Sequence, residues 1–216
     1  MWSRLVPVLR DRNHRAVVVD LPGPDPQVDL NGYVERVVAR VRSQRESGTG
    51  PVVLVGLSLG GFSASAAALL EPVDHLVLVN AMVPRPGESP AQWWRACGQA
   101  RERRANERAA GRDPERPFDP LDAFLHDAPP EVLAEAAEHD RDEADAAFAT
   151  PWPGTHWPEV PTSVLVADDD RLFPPAMQER VAADRLGLSV HRVPGGHLCP
   201  LTRPTEVADV LLAAVG

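Results

Sequence analysis

Three kinds of residue that act together in nucleophilic catalysis follow apolar runs of this sequence. Ser58 lies within the stretch GLSLG, three consecutive aspartates occupy residues 168–170, and His197 ends the stretch PGGH. A serine hydroxyl is a poor nucleophile unless a base takes its proton and a carboxylate orients that base. The order serine, aspartate, histidine along the chain therefore predicts a catalytic triad.

The stretch GLSLG matches the G-x-S-x-G pattern of a nucleophile elbow, in which a strand turns abruptly into a helix with serine at the apex. We expect tight packing there to leave no room for side chains at the flanking Gly56 and Gly60. The pattern alone would occur by chance in roughly one chain of this length in fifteen, so its context matters. A Val-rich run before Ser58 and small residues after it favour the elbow over an ordinary turn.

Five short runs of mostly Val and Leu are typical of parallel strands that are buried on both faces. They are AVVVD at 16–20, VVLVG at 52–56, HLVLVN at 75–80, SVLVA at 163–167 and SVHRV at 189–193. Apolar residues recur at helical spacing from Asn31, which we expect to cap a helix, and again from Thr205. The 216 residues thus predict one α/β domain with a mostly parallel sheet, and the candidate triad follows the carboxyl ends of its strands.

Residues 84–161 interrupt this alternation, because they contain helical patterns and Pro-rich joints but no convincing strand. Four of the five tryptophans lie in this segment, so it is too apolar for a disordered linker. We expect a helical lid that covers Ser58 and limits substrate size. Its tryptophans are either core residues or walls of a substrate pocket.

Composition excludes several partners. The net charge of −9 argues against a nucleic acid or an anionic membrane surface, and no apolar run approaches the length of a membrane span. The Arg-rich residues 95–116 are interrupted by glutamates, which indicates a solvated helix face rather than a partner site. The aspartate run has no His or Glu at ligand spacing, which disfavours a metal. Cys97 and Cys199 do not form a disulfide framework, so we expect a reducing, cytoplasmic location.

Several stretches together resemble the α/β-hydrolase family, and within it the small plant methylesterases and hydroxynitrile lyases with their bacterial relatives. These stretches are VVVDLPG, VGLSLGG, LVLVNAMVPRPGES, ADDDRLFPPAMQ and VPGGHLCPLTRPTEVADVL. They cover nearly the whole chain, and the lid is the least specific part.

The resemblance implies a role for individual residues. In the family the triad aspartate directly precedes a basic or acidic residue, Ile or Leu, and Phe-Pro, which selects Asp170, and the glycine-flanked histidine is His197. The backbone N–H of Leu59, after the nucleophile, supplies one donor of the oxyanion hole. No metal or cofactor is implied.

Family members carry a further buried strand and a His-Gly loop before the helix pattern that follows Met1 here. That loop supplies the second oxyanion donor, and its strand would lie between the runs at 16–20 and 52–56. We expect either a start further upstream or a repacked sheet in which those two runs pair directly. The loss of one oxyanion donor costs about 10²–10³ in rate.

These observations predict a cofactor-independent serine hydrolase that acts on a small, mainly apolar ester. We expect Met82, Trp93 and Trp94 to contact the substrate. Two alternatives remain open: a lyase that uses the same triad, and a non-catalytic ligand-binding homologue without a complete oxyanion hole.

Overall fold

A parallel sheet forms the centre of the fold in a computed structural model that describes residues 1–48, 50–138 and 145–216. In these residues the sheet has four strands in the order β1 (Val53–Leu57), β2 (His75–Val79), β3 (Thr162–Ala167) and β4 (His191–Val193). Leu57 lies opposite Val79, and Ala167 lies opposite Val193. The carboxyl ends of the strands therefore meet at one edge of the sheet.

Helices connect and cover these strands. They are α1 (Leu5–Asp11), α2 (Leu30–Glu46), α3 (Gly60–Leu70), α4 (Pro90–Ala96), α5 (Gln99–Ala109), α6 (Pro120–Leu125), α7 (Pro130–Glu138), α8 (Asp145–Ala149), α9 (Pro175–Leu186), α10 (Cys199–Thr202) and α11 (Pro204–Val215). The predicted α/β fold, with a mostly parallel sheet flanked by helices, is confirmed. In the described part of the chain, each helix is too short or too polar to cross a bilayer.

Alternate residues of each strand enter two separate hydrophobic clusters, because successive side chains of a strand point to opposite faces. Leu76 and Val164 pack in the cluster that holds α2, α3, α9 and the helices between β2 and β3. Val77 and Leu165 pack in the cluster that holds α1 and α11. Both faces of the sheet are covered, which explains why its strands are continuous apolar runs.

The run at residues 16–20 is not a strand, contrary to the prediction. This segment has no regular secondary structure and pairs with no described strand, so β1 is an edge of the sheet instead of its neighbour. Val17 and Val18 are 39% and 47% exposed. A β-branched run favours a strand but needs a partner strand to form one, and this run pairs with none of the described strands.

The start of α2 also differs from the prediction. Asp29, not Asn31, is the N-cap: its Oδ1 accepts hydrogen bonds from the backbone N–H groups of Asn31 (2.9 Å) and Gly32 (3.2 Å). Both side chains suit the cap, but a carboxylate is favoured by the positive end of the helix dipole.

Between β2 and β3 the described residues form helices and no strand, as the pattern of residues 84–161 predicts; residues 139–144 lie outside the described residues. The Arg-rich part is less solvated than expected. Glu107 on α5 is 1% exposed and forms ion pairs with Arg112 (2.8 Å) and Arg116 (3.2 Å). Glu107 therefore joins two arginines of this basic stretch inside the lid.

The approach of α3 to the sheet depends on two glycines, but not the pair that the elbow pattern suggested. A Cβ atom on Gly56 would lie 2.6 Å from the carbonyl oxygen of Gly60, and one on Gly61 would lie 2.2 Å from the carbonyl oxygen of Met82. A Cβ atom on Gly60 would meet nothing within 4 Å. The expectation of crowding is thus correct at Gly56 and wrong at Gly60, where an added Cβ atom would lie in open space.

We expect Gly61→Ala to lower the free energy of unfolding by about 1–3 kcal/mol, since the new methyl group must displace the backbone at Met82. Gly60→Ala is the matched control one residue earlier, and it should change stability by less than about 0.5 kcal/mol. Urea unfolding followed by circular dichroism measures both. Equal stability of the two variants would contradict the observed packing.

Candidate active site

Ser58 occupies a sharp turn between β1 and α3. Its φ is +53°, a left-handed conformation that is uncommon for residues other than glycine. The turn is held on both sides: the N–H of Ser58 donates to the carbonyl oxygen of Val79 (3.3 Å), and its own carbonyl oxygen accepts from Gly61 and Met82 (3.0 Å each). The strand, the strained serine and the helix have the arrangement of a nucleophile elbow.

His197 and Asp170 form a buried pair. Nδ1 of His197 lies 2.8 Å from Oδ2 of Asp170, and both side chains are fully buried. The other oxygen of Asp170 accepts from the backbone N–H groups of Leu172 (2.9 Å) and Phe173 (2.8 Å), and Gln178 donates to Oδ2 (3.1 Å). These bonds fix the carboxylate and assign the imidazole proton to Nδ1.

The other two aspartates of the run contact different partners. Oδ1 of Asp168 accepts from Arg192 (2.7 Å), and Oδ2 of Asp169 lies 2.9 Å from Nε2 of His126. Asp170 is thus the member of the run that contacts His197, and the three carboxylates do not converge. Across the described residues, no group of three or more His, Cys, Asp or Glu side chains is arranged to hold a metal ion.

Nε2 of His197 is buried and has no hydrogen-bond partner among the described residues, so the hydroxyl of Ser58 does not bond to it in this structure. The imidazole lies between two aromatic rings: Phe124 of α6 meets it at 5.3 Å between ring centroids, and Phe173 meets it at 5.1 Å, both edge to face. Catalytic hydrogen bonds are often long or absent before substrate binds. The ring of Phe124 places the lid directly against the histidine.

The expected substrate contacts lie close to this aromatic group. Trp93 and Trp94 meet Phe173 at 5.0 and 5.2 Å between ring centroids. Trp93 is buried and its indole N–H donates to Val83 (3.0 Å), whereas the buried Nε1 of Trp94 has no partner in the described part of the chain. Met82 is buried, and its backbone N–H bonds to the elbow, as described above.

Leu59 directly follows Ser58 and is the residue before α3. The first backbone N–H groups of a helix have no partner within the helix, so they can donate hydrogen bonds to an anion. This position agrees with the role that the resemblance implies for Leu59. Its side chain is almost fully buried.

The lid is attached to the loops of the candidate triad by polar contacts. Arg171, next to Asp170, pairs with Asp122 of α6, which also pairs with Arg116. Burial opposes the charged form of Asp122, but hydrogen bonds and charges from these two arginines outweigh it and lower the pKa of its carboxyl group. Charge therefore favours the docked position of α6.

Two residues that sequence reasoning missed also contact the loop of His197. Oδ2 of Asp127, just after α6, accepts from the backbone N–H of Gly196 (3.1 Å) and from the hydroxyl of Thr202 (2.8 Å). Asn80 is fully buried and donates to the carbonyl oxygen of His197 (2.9 Å). Asn80 is a polar residue at the carboxyl end of a predicted strand, where parallel sheets place their sites, so the sequence contained a signal for it. The sequence contains no such signal for Asp127.

A strained serine between strand and helix, with a buried carboxylate–imidazole pair at the same sheet edge, defines the class of α/β hydrolases. This chain belongs to that family: a sequence profile of the α/β-hydrolase family matches residues 1–210. A comparison with curated proteins found no match.

Solved structures of several enzymes share the fold. A pyrethroid hydrolase from Sphingobium faniae JZ-2 has 22% sequence identity and a TM-score of 0.72, with 99% of this chain and 91% of that chain covered. Polyneuridine aldehyde esterase has 22% identity and a TM-score of 0.73, with 100% and 93% covered. A variant of tomato methylketone synthase I in complex with β-ketoheptanoate has 18% identity and a TM-score of 0.71, with 98% and 90% covered.

The two cysteines are poor candidates for a competing nucleophile. Burial raises the pKa of the Cys97 thiol to about 11, although the charge of Arg185 opposes this effect. Burial, followed by the charge of Asp170, also raises the pKa of the Cys199 thiol. The thiolate is the reactive form, so burial disfavours both thiols as nucleophiles in the folded protein.

We expect iodoacetamide to leave Cys97 and Cys199 unmodified at neutral pH, because only about 10⁻⁴ of a thiol with the raised pKa of Cys97 is ionised there. The same treatment in concentrated urea should modify both residues, which provides the control for reagent activity. Peptide mass spectrometry measures the modification. Rapid modification of Cys97 in the folded protein would contradict its buried, protonated state.

Proposed function

We propose that this α/β hydrolase is a serine carboxylesterase that acts on small, mainly apolar esters. The observation that carries the proposal is the buried contact between Asp170 and His197, at the sheet edge where the strained Ser58 lies. Two of the structures with the same fold are named as a hydrolase and an esterase, and this agrees with the proposal.

In the proposed reaction, Oγ of Ser58 forms a bond to the ester carbonyl carbon while its proton passes to Nε2 of His197. The carbonyl oxygen becomes an oxyanion and accepts a hydrogen bond from the backbone N–H of Leu59. When the tetrahedral intermediate collapses, the alcohol leaves with the proton from His197. Water then releases the acid from the acyl-enzyme by the same steps.

Asp170 has the role of orienting the base. Its bond to Nδ1 leaves the lone pair of Nε2 available, and Nε2 has no other described partner. The negative charge of Asp170 also stabilises the imidazolium that forms during the reaction. Both groups are fully buried, so these interactions act with little screening by water.

The preference for apolar esters rests on the walls of the site. Phe124 and Phe173 flank the imidazole, and Trp93 and Trp94 extend this aromatic surface from the lid. We propose that Trp94, Trp93 and the neighbouring Met82 contact the acyl or alcohol group. Aromatic walls favour apolar groups and contribute large contact areas with little loss of conformational entropy.

We expect a fluorophosphonate probe to label Ser58, and Ser58→Ala to abolish both labelling and the hydrolysis of p-nitrophenyl acetate. The reason is that Ser58, at the elbow, lies at the same sheet edge as His197, the proposed base. Ser63→Ala on α3, the helix that follows Ser58, is the matched control: Ser63 is buried and donates to Gly60, so labelling should persist. Mass spectrometry of the labelled peptide identifies the residue.

Absence of both labelling and hydrolysis in the natural protein would overturn the proposal and favour a non-catalytic homologue. Labelling of Ser58 without turnover of any ester would favour a lyase that uses the same residues.

We expect Asp170→Asn to lower kcat by about 10⁴-fold, because the amide no longer holds the required tautomer of His197. Asp168→Asn and Asp169→Asn remove the neighbouring carboxylates, which contact Arg192 and His126, and should lower kcat by less than about tenfold. Steady-state kinetics with p-nitrophenyl acetate compare the three variants. A larger loss at Asp168 or Asp169 would move the role to that residue.

A further inference from the structure

We propose that Asn80 is a positioning residue for His197, one that holds the imidazole in register with Asp170 and Ser58. The inference rests on the proposed hydrolase function, but it concerns a residue outside the triad. Asn80 directly follows β2, at the sheet edge where the candidate site lies.

The side-chain amide of Asn80 joins two separate segments of the site. Its Nδ2 donates to the carbonyl oxygen of His197 (2.9 Å), with a longer contact to that of Gly196 (3.4 Å). Its Oδ1 accepts from the backbone N–H of Ala167 (2.8 Å), three residues before Asp170. One amide thus connects the segment that carries the acid with the residue that carries the base.

This connection requires a donor and an acceptor on one short side chain. An aspartate at this position keeps the acceptor for Ala167 but lacks the N–H donor for His197. An apolar residue of similar shape satisfies neither group, and it leaves both groups buried without a partner, which is unfavourable. Asparagine therefore suits this position because its short side chain carries both the donor and the acceptor.

The backbone of Asn80 is held in an unusual conformation. Its φ is +44°, and its N–H donates to the carbonyl oxygen of Leu165 (2.9 Å). The preceding residue, Val79, accepts the N–H of Ser58. Asn80 thus lies between the exits of β1 and β3 in a left-handed conformation, which persists only where the surrounding structure holds it in place.

The hydrogen bond from Asn80 holds the backbone of His197, the proposed catalytic base. Other backbone bonds join the same loops, from Asp168 to Val193 (2.8 Å) and from Asp169 to Gly195 (3.0 Å), but they end before His197. Asn80 binds the backbone of His197 itself. A misplacement of about 1 Å costs about 10²-fold in rate, so the loss of this bond should lower kcat without changing substrate affinity.

The test compares Asn80→Gly and Asn80→Asp with Asn13→Gly. Glycine adopts a positive φ without strain, so Asn80→Gly removes the amide while it relieves the backbone. Asn13 has the same left-handed backbone, with φ of +63°, but it is exposed and forms part of the turn after α1, so it provides the matched control. Urea unfolding establishes that each variant is folded.

We expect both Asn80 variants to lower kcat for p-nitrophenyl acetate by about 10²-fold with KM within about threefold, while Asn13→Gly leaves both unchanged. The proton of His197 on Nδ1 gives a separate proton NMR signal, which should shift or broaden in the Asn80 variants only. Unchanged kcat and an unchanged signal in folded Asn80→Gly would overturn the inference, and so would the failure of both Asn80 variants to fold.

The NMR signal separates this inference from the proposed function. If the natural protein hydrolyses no ester, but its His197 signal shifts or broadens in the Asn80→Gly variant, the esterase proposal is refuted and the positioning role is supported. If the natural protein hydrolyses esters and its Asn80 variants keep both full activity and the His197 signal, the esterase proposal is supported and the positioning role is refuted.

Discussion

The parallel direction of the four described strands is the constraint on which the candidate site depends. Because β1 to β4 all end at one edge of the sheet, the residues that follow them are neighbours in space although they are far apart in sequence. Ser58, Asn80, Asp170 and His197 each follow a different strand. The site therefore needs no long supporting loops, and its parts are held by hydrogen bonds between adjacent strand exits.

Burial sets the second condition on the site. Asp170 has several donors around its carboxylate, whereas Nε2 of His197 is buried and has no partner among the residues that the structure describes. An unpaired buried nitrogen costs free energy, and such exceptions in folded proteins call for a specific explanation. The lid forms part of the surroundings of this imidazole, because Phe124 contacts the ring and contacts of Asp122 and Asp127 hold the lid on the loops beneath it.

Features that depend on residues close in sequence were predicted correctly, whereas features that depend on contacts between distant segments were not. Four of the five apolar runs are strands, and the turn at Ser58 has the predicted form, because both depend mainly on local pattern. Residues 16–20 have an equally strong local pattern but pair with no described strand. Crowding at Gly60, the role of Asn80 and the contact of Asp127 depend on where distant segments lie, and no local pattern records that. The choice of Asp170 came from the family resemblance, since spacing alone does not distinguish three adjacent aspartates.

The length of the connection between β2 and β3 has an entropic consequence. About 80 residues separate these paired strands, compared with about 17 between β1 and β2, so closing the longer loop costs about 1.4 kcal/mol more. The contacts of the segment between β2 and β3 with the rest of the fold, among them Trp152 with Phe62, offset this cost. The segment between β2 and β3 therefore also stabilises the fold through its non-covalent contacts with helices on the other part of the sheet, such as α3.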